Sequence, residues 1–149
     1  MTLRHPYSGI MNEQSRNQLA QHYFSEAPLL AGAAVVVERV DGDELSLTAA
    51  IEPWMVQQTG VLHAGMVTAF GDHAAAVAAT LAGGLEQVPL SVSIHVSLLR
   101  GISGERLWVR ARPVRLGRRV IAAEAEIGGF RDGEPVLGAR LAVTLVPVG

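Results

Sequence analysis

The sequence predicts an α+β fold: a curved antiparallel sheet of about six strands wrapped around one long central helix. Three observations carry that prediction. Residues 64 to 82 are Ala-rich and apolar nearly all round, the pattern of a buried helix. Asp41-Gly42 separates two short strand-like segments, a strong hairpin signal. Four segments after the helix alternate apolar and polar side chains with period two.

The elements follow in order. Residues 12 to 25 predict a short helix with Leu19, Tyr23 and Phe24 on its apolar side, ended by Pro28. Residues 1 to 27 thus form an N-terminal helical segment of a single domain spanning 1–149. Residues 33 to 40 (AAVVVERV) predict a strand, and 44 to 51 (ELSLTAAI) its hairpin partner. A loop over 52 to 62 carries Pro53, Trp54, Gln57, Gln58 and Gly60. The long helix follows and is terminated by Gly83-Gly84. In 91 to 98, Ser91, Ser93, His95 and Ser97 are predicted on one face and Val92, Ile94, Val96 and Leu98 on the other. In 106 to 112, Leu107, Val109 and Ala111 oppose Arg106, Trp108, Arg110 and Arg112. Residues 120 to 127 and 137 to 146 complete the sheet, with turns at 101–104, 116–118 and 131–134. The outer face and edges of such a sheet invite self-association.

Composition narrows the function. A chain of 149 residues with 49% hydrophobic residues is one domain with a proper core, not a disordered segment. The longest apolar stretch, 60 to 85, is broken by His63, Asp72 and His73, so no membrane span is predicted. The N-terminus shows no signal-peptide pattern, and Cys is absent, which together predict a cytoplasmic protein. A net charge of −2 argues against general nucleic-acid binding. All twelve basic residues are Arg, and seven lie between 100 and 119 with Glu105 the only acid there. That excess suits either phosphate recognition or a plain solvated strand face.

Asp72 is the chemically conspicuous residue. A carboxylate in an apolar helix is costly unless paired or used. Gly65 and Asp72 lie seven residues apart and share a helix face with Thr68 between them. The helix start offers free backbone N–H groups and a positive dipole end, suited to a developing negative charge. A surface Asp, or one in a structural hydrogen bond, is the plain alternative. His63, Asp72, His73 and His95 lack recognisable metal-ligand spacing, so no metal is predicted. His73 and His95 read as interface or surface residues.

The stretch Gly60-Val-Leu-His63-Ala-Gly65-Met-Val-Thr-Ala-Phe-Gly-Asp72 resembles the helix-opening motif of the phenylacetate-pathway-type acyl-CoA thioesterases, a branch of the hotdog superfamily. That branch commonly reads His-Gly-Gly with an acid nine residues after the His, the spacing of His63 and Asp72. Residues 91 to 100 (SVSIHVSLLR) resemble the family strand ending in an Arg-Pro element. Arg115-Leu-Gly-Arg-Arg119 resembles its Gly-containing hairpin turn. The likeness runs from about Pro28 to Pro147. Three departures stand out: Ala64 replaces a Gly, Ala76 stands where some relatives carry a hydroxyl, and Arg100-Gly101 replaces Arg-Pro.

The resemblance implies a hotdog fold and a cofactor-free acyl-CoA thioesterase, hydrolysing the thioester to a carboxylic acid and free CoA. It implies a site between subunits of a homodimer, paired into a homotetramer. The N–H groups of Ala64 and Gly65 would polarise the carbonyl, and Asp72 of the other subunit would act as nucleophile or general base. His63 would hold loop backbone. Gln57 would help hold carbonyl or water, and the Ser91 hydroxyl would position water beside the acid. Gly117, Arg118 and Arg119 would hold the pantetheine and nucleotide phosphates. Trp54, Met55 and Phe70 either line an acyl pocket or simply pack. Two rival readings are a hotdog dehydratase or hydratase, which would use His63 with an acid, and a non-catalytic acyl-CoA binding domain.

Overall fold

A computed structural model describes residues 11–149, so the first ten residues of the N-terminal segment lie outside the described residues. Helix α1 (Glu13–Ser25) opens where the Asn12 side chain accepts from the Ser15 N–H at 2.8 Å, satisfying a donor the helix itself leaves free. Strands β1 (Val36–Asp41) and β2 (Glu44–Ala50) form the first hairpin, turning at Gly42 with φ +60°. Helix α2 (Ala64–Gly83) follows, closed by Gly84 in the left-handed region at φ +58°. Strands β3 (Leu90–Leu98), β4 (Arg106–Leu116), β5 (Ile121–Arg131) and β6 (Glu134–Val146) complete one six-stranded sheet in the order β1-β2-β4-β5-β6-β3. Every pairing is antiparallel. This is the hotdog arrangement that the sequence predicts.

The alternating apolar sets meet α2. Leu45, Leu47, Leu107, Val109, Ile121, Ile127, Leu141 and Leu145 are buried from the sheet, and Phe70 and Val77 from the helix. Each such side chain contributes about 1.5–3 kcal/mol of burial. Small residues set the spacing. A Cβ on Gly71 would lie 2.6 Å from both Leu141 methyl carbons, so α2 rests directly on β6 beside Asp72. No helix among the described residues is long and apolar enough to cross a membrane.

Three local differences from the sequence expectation have physical causes. Strand β1 begins at Val36, because Ala31–Ala33 form a 3-10 turn and Ala34 takes φ +48°, which no strand accommodates. Strands β4 to β6 run longer than their clean alternation, because bulges at Pro113/Arg115 and Ile127/Gly128 break the period without ending the pairing. A further bulge between Ser91 and Ser93 corrects the predicted faces of β3. Ser91 pairs opposite buried Leu145 and points to the α2 side, with Ile94, Val96 and Leu98. Val92, placed in the apolar face by simple alternation, is 60% exposed.

The two sheet edges are treated differently. Along β1, α1 supplies polar side chains in place of a strand. The Gln21 amide donates to Val35 O at 2.8 Å and accepts from Val37 N–H at 2.9 Å. Asn17 accepts from Val40 N–H at 2.8 Å. Strand β3 has β6 on one side and no strand on the other among the described residues. Leu90, Val92 and Leu98 stand exposed along it.

Candidate active site

His63 is the N-cap of α2, and its Nδ1 accepts from the Gly65 N–H at 2.9 Å. Its carbonyl accepts from Met66 N–H and Val67 N–H, the ordinary start of a helix. His63 N–H in turn donates to Met55 O at 2.9 Å, which fixes the loop before the helix. The ring therefore holds backbone, and one of the two expected oxyanion donors is already committed. The Ala64 N–H has no hydrogen-bond partner among the described residues. It sits at the first position of α2, where the helix dipole adds positive potential.

A cavity of about 360 Å³ is lined in part by Ala64. Gln57, Ala64, Val67, Leu98, Arg100 and Ile102 are among the residues that line it. Gln57, one of the lining residues, is held at its backbone by a turn, donating to Val61 O and accepting from Gly60 N–H. Thr68 lies one turn further along α2, its hydroxyl donating to Ala64 O at 2.9 Å. Trp54 is 53% exposed on the 3-10 turn Pro53–Met55 and does not line this cavity. Met55 and Phe70 are wholly buried core residues.

Asp72 sits two turns beyond Ala64, half-buried. The Ser91 hydroxyl donates to its Oδ1. The β3 bulge is what turns Ser91 toward the helix, so a local defect in the strand completes the carboxylate's surroundings. His73, expected at an interface or surface, instead joins two elements of the same chain. Its Nε2 donates to Tyr23 O at 3.0 Å and its ring meets Phe24 edge-on at 4.8 Å. Burial holds the His73 imidazole below its ordinary value, opposed by the Tyr23 carbonyl and the Asp72 carboxylate. His95 is exposed on the outer face of β3.

Gly117, Arg118 and Arg119 lie in the β4–β5 turn, at the other end of α2. With Arg115 and Val120 they line a cavity of about 530 Å³. A Cβ on Gly117 would lie 2.3 Å from Val120 O, so the turn closes tightly only with Gly there. Among the described residues, no three His, Asp or Glu side chains converge as a metal site. Sequence reasoning passed over Arg100 at the first cavity. It figured there in a charge-rich stretch and at the end of the family-like strand, with no role at a site, and nothing local says which Arg lines a cavity.

A thioesterase superfamily model matches residues 59–134, which include the start of α2, Asp72, Ser91 and the Arg turn. No curated protein matches the sequence. Among solved structures, a thioesterase family protein from Silicibacter pomeroyi is 29% identical, with a TM-score of 0.77 over 90% of this chain and 99% of that one. A thioesterase from Haemophilus influenzae is similar at 22% identity, TM-score 0.76, over 95% of this chain and 94% of that one. A phenylacetic acid degradation-related protein from Ralstonia eutropha is similar at 21% identity, TM-score 0.73, over 88% and 98%. The last two likenesses speak for the fold, and the family match covers the helix start, the acid and its strand partner. The chain belongs to the thioesterase superfamily.

Proposed function

We propose that the protein hydrolyses an acyl-CoA thioester to a carboxylic acid and free CoA at a site shared by two copies of the chain. The observation that carries this reading is the spacing of two unlike groups on α2. Ala64 offers an N–H without a partner among the described residues, and Asp72 offers a carboxylate steadied by Ser91. Their separation of eight residues is about 12 Å along the helix axis. A carbonyl held by one donor and attacked from its other side spans at most about 7 Å. One chain therefore does not supply both groups to one thioester.

A second copy removes the difficulty. With two α2 helices running antiparallel past each other at Thr68, midway between 64 and 72, each Ala64 lies level with the partner's carboxylate. Gly65, Thr68 and Ala69 give that face small side chains that permit close approach. The open β3 edge, beside Asp72 through Ser91, is the seam; the β1 edge is already covered by α1. Pairing of two such dimers through their outer sheet faces gives the homotetramer.

In this arrangement the Ala64 N–H stabilises the oxyanion as the carbonyl is attacked. Asp72 either takes a proton from the attacking water or adds to the carbonyl itself, giving an anhydride that water then opens. In both routes the C–S bond breaks and the thiolate receives a proton. Gln57, which lines the cavity, would hold the carbonyl or water from that side. Neither route calls for a metal or cofactor. The dehydratase reading needs His63 as an acid–base partner, whereas its Nδ1 is bonded to backbone.

Two variants test the reading through free-thiol release from a panel of acyl-CoA esters. Asp72→Asn removes the base or nucleophile. Ala64→Pro removes only an N–H. Pro is well accepted at the first helical position, and His63 already has the extended ψ of 138° that precedes a Pro comfortably. Ala64→Pro is expected to lower kcat by about 10²–10³-fold. Each variant alone is inactive by this reading. After mixing and re-pairing, half the dimers are mixed and each holds one intact site, so about a quarter of wild-type activity returns. Full activity in Asp72→Asn would reject the assignment.

A further inference from the structure

We infer that the tip of the β4–β5 hairpin docks on an anionic phospholipid bilayer. Val114, Leu116 and Val120 enter the membrane interface, and Arg115, Arg118 and Arg119 meet the headgroup phosphates. The inference stands apart from the hydrolytic reading and does not depend on it.

Residues 114 to 120 read Val-Arg-Leu-Gly-Arg-Arg-Val, apolar and cationic with no acid among them. Further back on the sheet the same residue types are used within the chain. Leu107 and Val109 are buried, and Arg106, Arg112 and Arg140 have acidic partners. At the tip they are not. Val114 is 63% exposed, Leu116 45% and Val120 50%. The bulge between Pro113 and Arg115 leaves Val114 without a partner across the ladder. Arg115, Arg118 and Arg119 are exposed, and none is ion-paired among the described residues. Three apolar side chains in water at one turn mark a surface that something else covers. The proposed seam along β3 lies on the far side of β6 from this hairpin.

Reach and charge select a membrane. The last rung between β2 and β4 is Leu45 opposite Ala111, so Asp43 and Glu44 of the first hairpin turn lie near the level of Arg112. Strand β4 runs on past Arg112 for four residues to Leu116, roughly 13 Å, before it turns. That exceeds the screening length of about 8 Å at physiological salt, so these acids do not cancel the charge at the turn. Glu86, in the adjoining groove, offsets one of the three arginines and leaves an excess of positive charge. The apolar side chains lie on two sides of the turn. Val120 lines a cavity of about 530 Å³ with the three arginines, and Leu116 lines an apolar groove of about 370 Å³ with Leu85, Pro147 and Val148. A rigid partner meets one side of such a tip. A bilayer surface encloses both, with the apolar groups beneath the headgroups and the guanidinium groups at the phosphates. Coenzyme phosphates, which the resemblance brings to Arg118 and Arg119, leave Val114 without a use.

Co-sedimentation of the full chain with lipid vesicles tests this. Binding is expected to vesicles of phosphatidylglycerol mixed with phosphatidylcholine, not to phosphatidylcholine alone, and to weaken as salt rises. Arg115→Gln should lower the partition coefficient about fivefold, the loss of one cation at an anionic surface. Val114→Ser combined with Val120→Ser should lower it about tenfold or more, with thermal unfolding unchanged because both side chains already stand in water. Val120→Trp adds a second readout: its fluorescence should shift to the blue on anionic vesicles, beyond any change in the wild type. Absence of binding to the anionic vesicles overturns the inference. So does binding that responds to salt and to Arg115→Gln but is equal in the double serine variant, with no blue shift at position 120. That pattern describes a purely electrostatic contact and assigns the tip to a soluble polyanion or an acidic protein.

Discussion

Asp72 and Ser91 define the residue scale. A hydroxyl donating to a carboxylate orients it, and hydrogen bonds to charged groups are worth about 1.5–3 kcal/mol. Ser91→Ala should therefore lower kcat about tenfold or more with KM little changed, and Ser91→Thr should recover part of the loss. A rise in KM alone, read from steady-state thiol release, would mean that Ser91 serves substrate binding instead. The residue types at this site were legible in the sequence: His63, Asp72, Ser91 and Gln57 stand out by type and spacing. Their bonds were not. Alternation sent Ser91 to the outer face, and one bulge reverses it. The two expected oxyanion donors become one because the His63 ring takes the Gly65 N–H.

At the scale of elements, α1 closes one edge of the sheet and is tied to α2 through His73. Burial lowers the His73 affinity for a proton more than Tyr23 and Asp72 raise it. The unfolded chain then binds that proton at higher pH than the folded one. Stability is thus unaffected while His73 is neutral in both states and is lost as pH falls through the ordinary histidine value of about 6.5. Urea midpoints measured from about pH 8 to 5 should fall on the acid side, and His73→Gln should flatten the fall. An equal slope in wild type and variant would remove His73 from the acid response. The helical signal of α1 was readable from Leu19, Tyr23 and Phe24; its use of Gln21 and Asn17 as a strand substitute depends on a strand more than ten residues away.

In the proposed reading one chain carries two half-sites on α2, beside a β3 edge that is unpaired among the described residues. Ile94 lies on the α2 side of that edge and is 39% exposed, so a charge there leaves the isolated chain's core intact while blocking a partner. Ile94→Arg should give a monomer by sedimentation, with normal thermal unfolding and no thiol release. A fully active dimer would show that β3 is not the seam.

Fold class followed from the sequence because its signals are local. A buried helix, a Gly-marked hairpin and period-two strands are each written within a window of a few residues. The resemblance at residues 60 to 72 likewise placed the family before any coordinates. Long-range pairing decided the rest. Which strand is left at the edge, which side Ser91 faces, and which N–H at the helix start stays free are properties of how distant segments meet, and no window of the sequence contains both partners. The sequence determined that a helix start and a carboxylate share one face. Only the tertiary structure decided that Ser91 reaches that carboxylate, because the β3 bulge and the pairing with β6 set which way its hydroxyl faces.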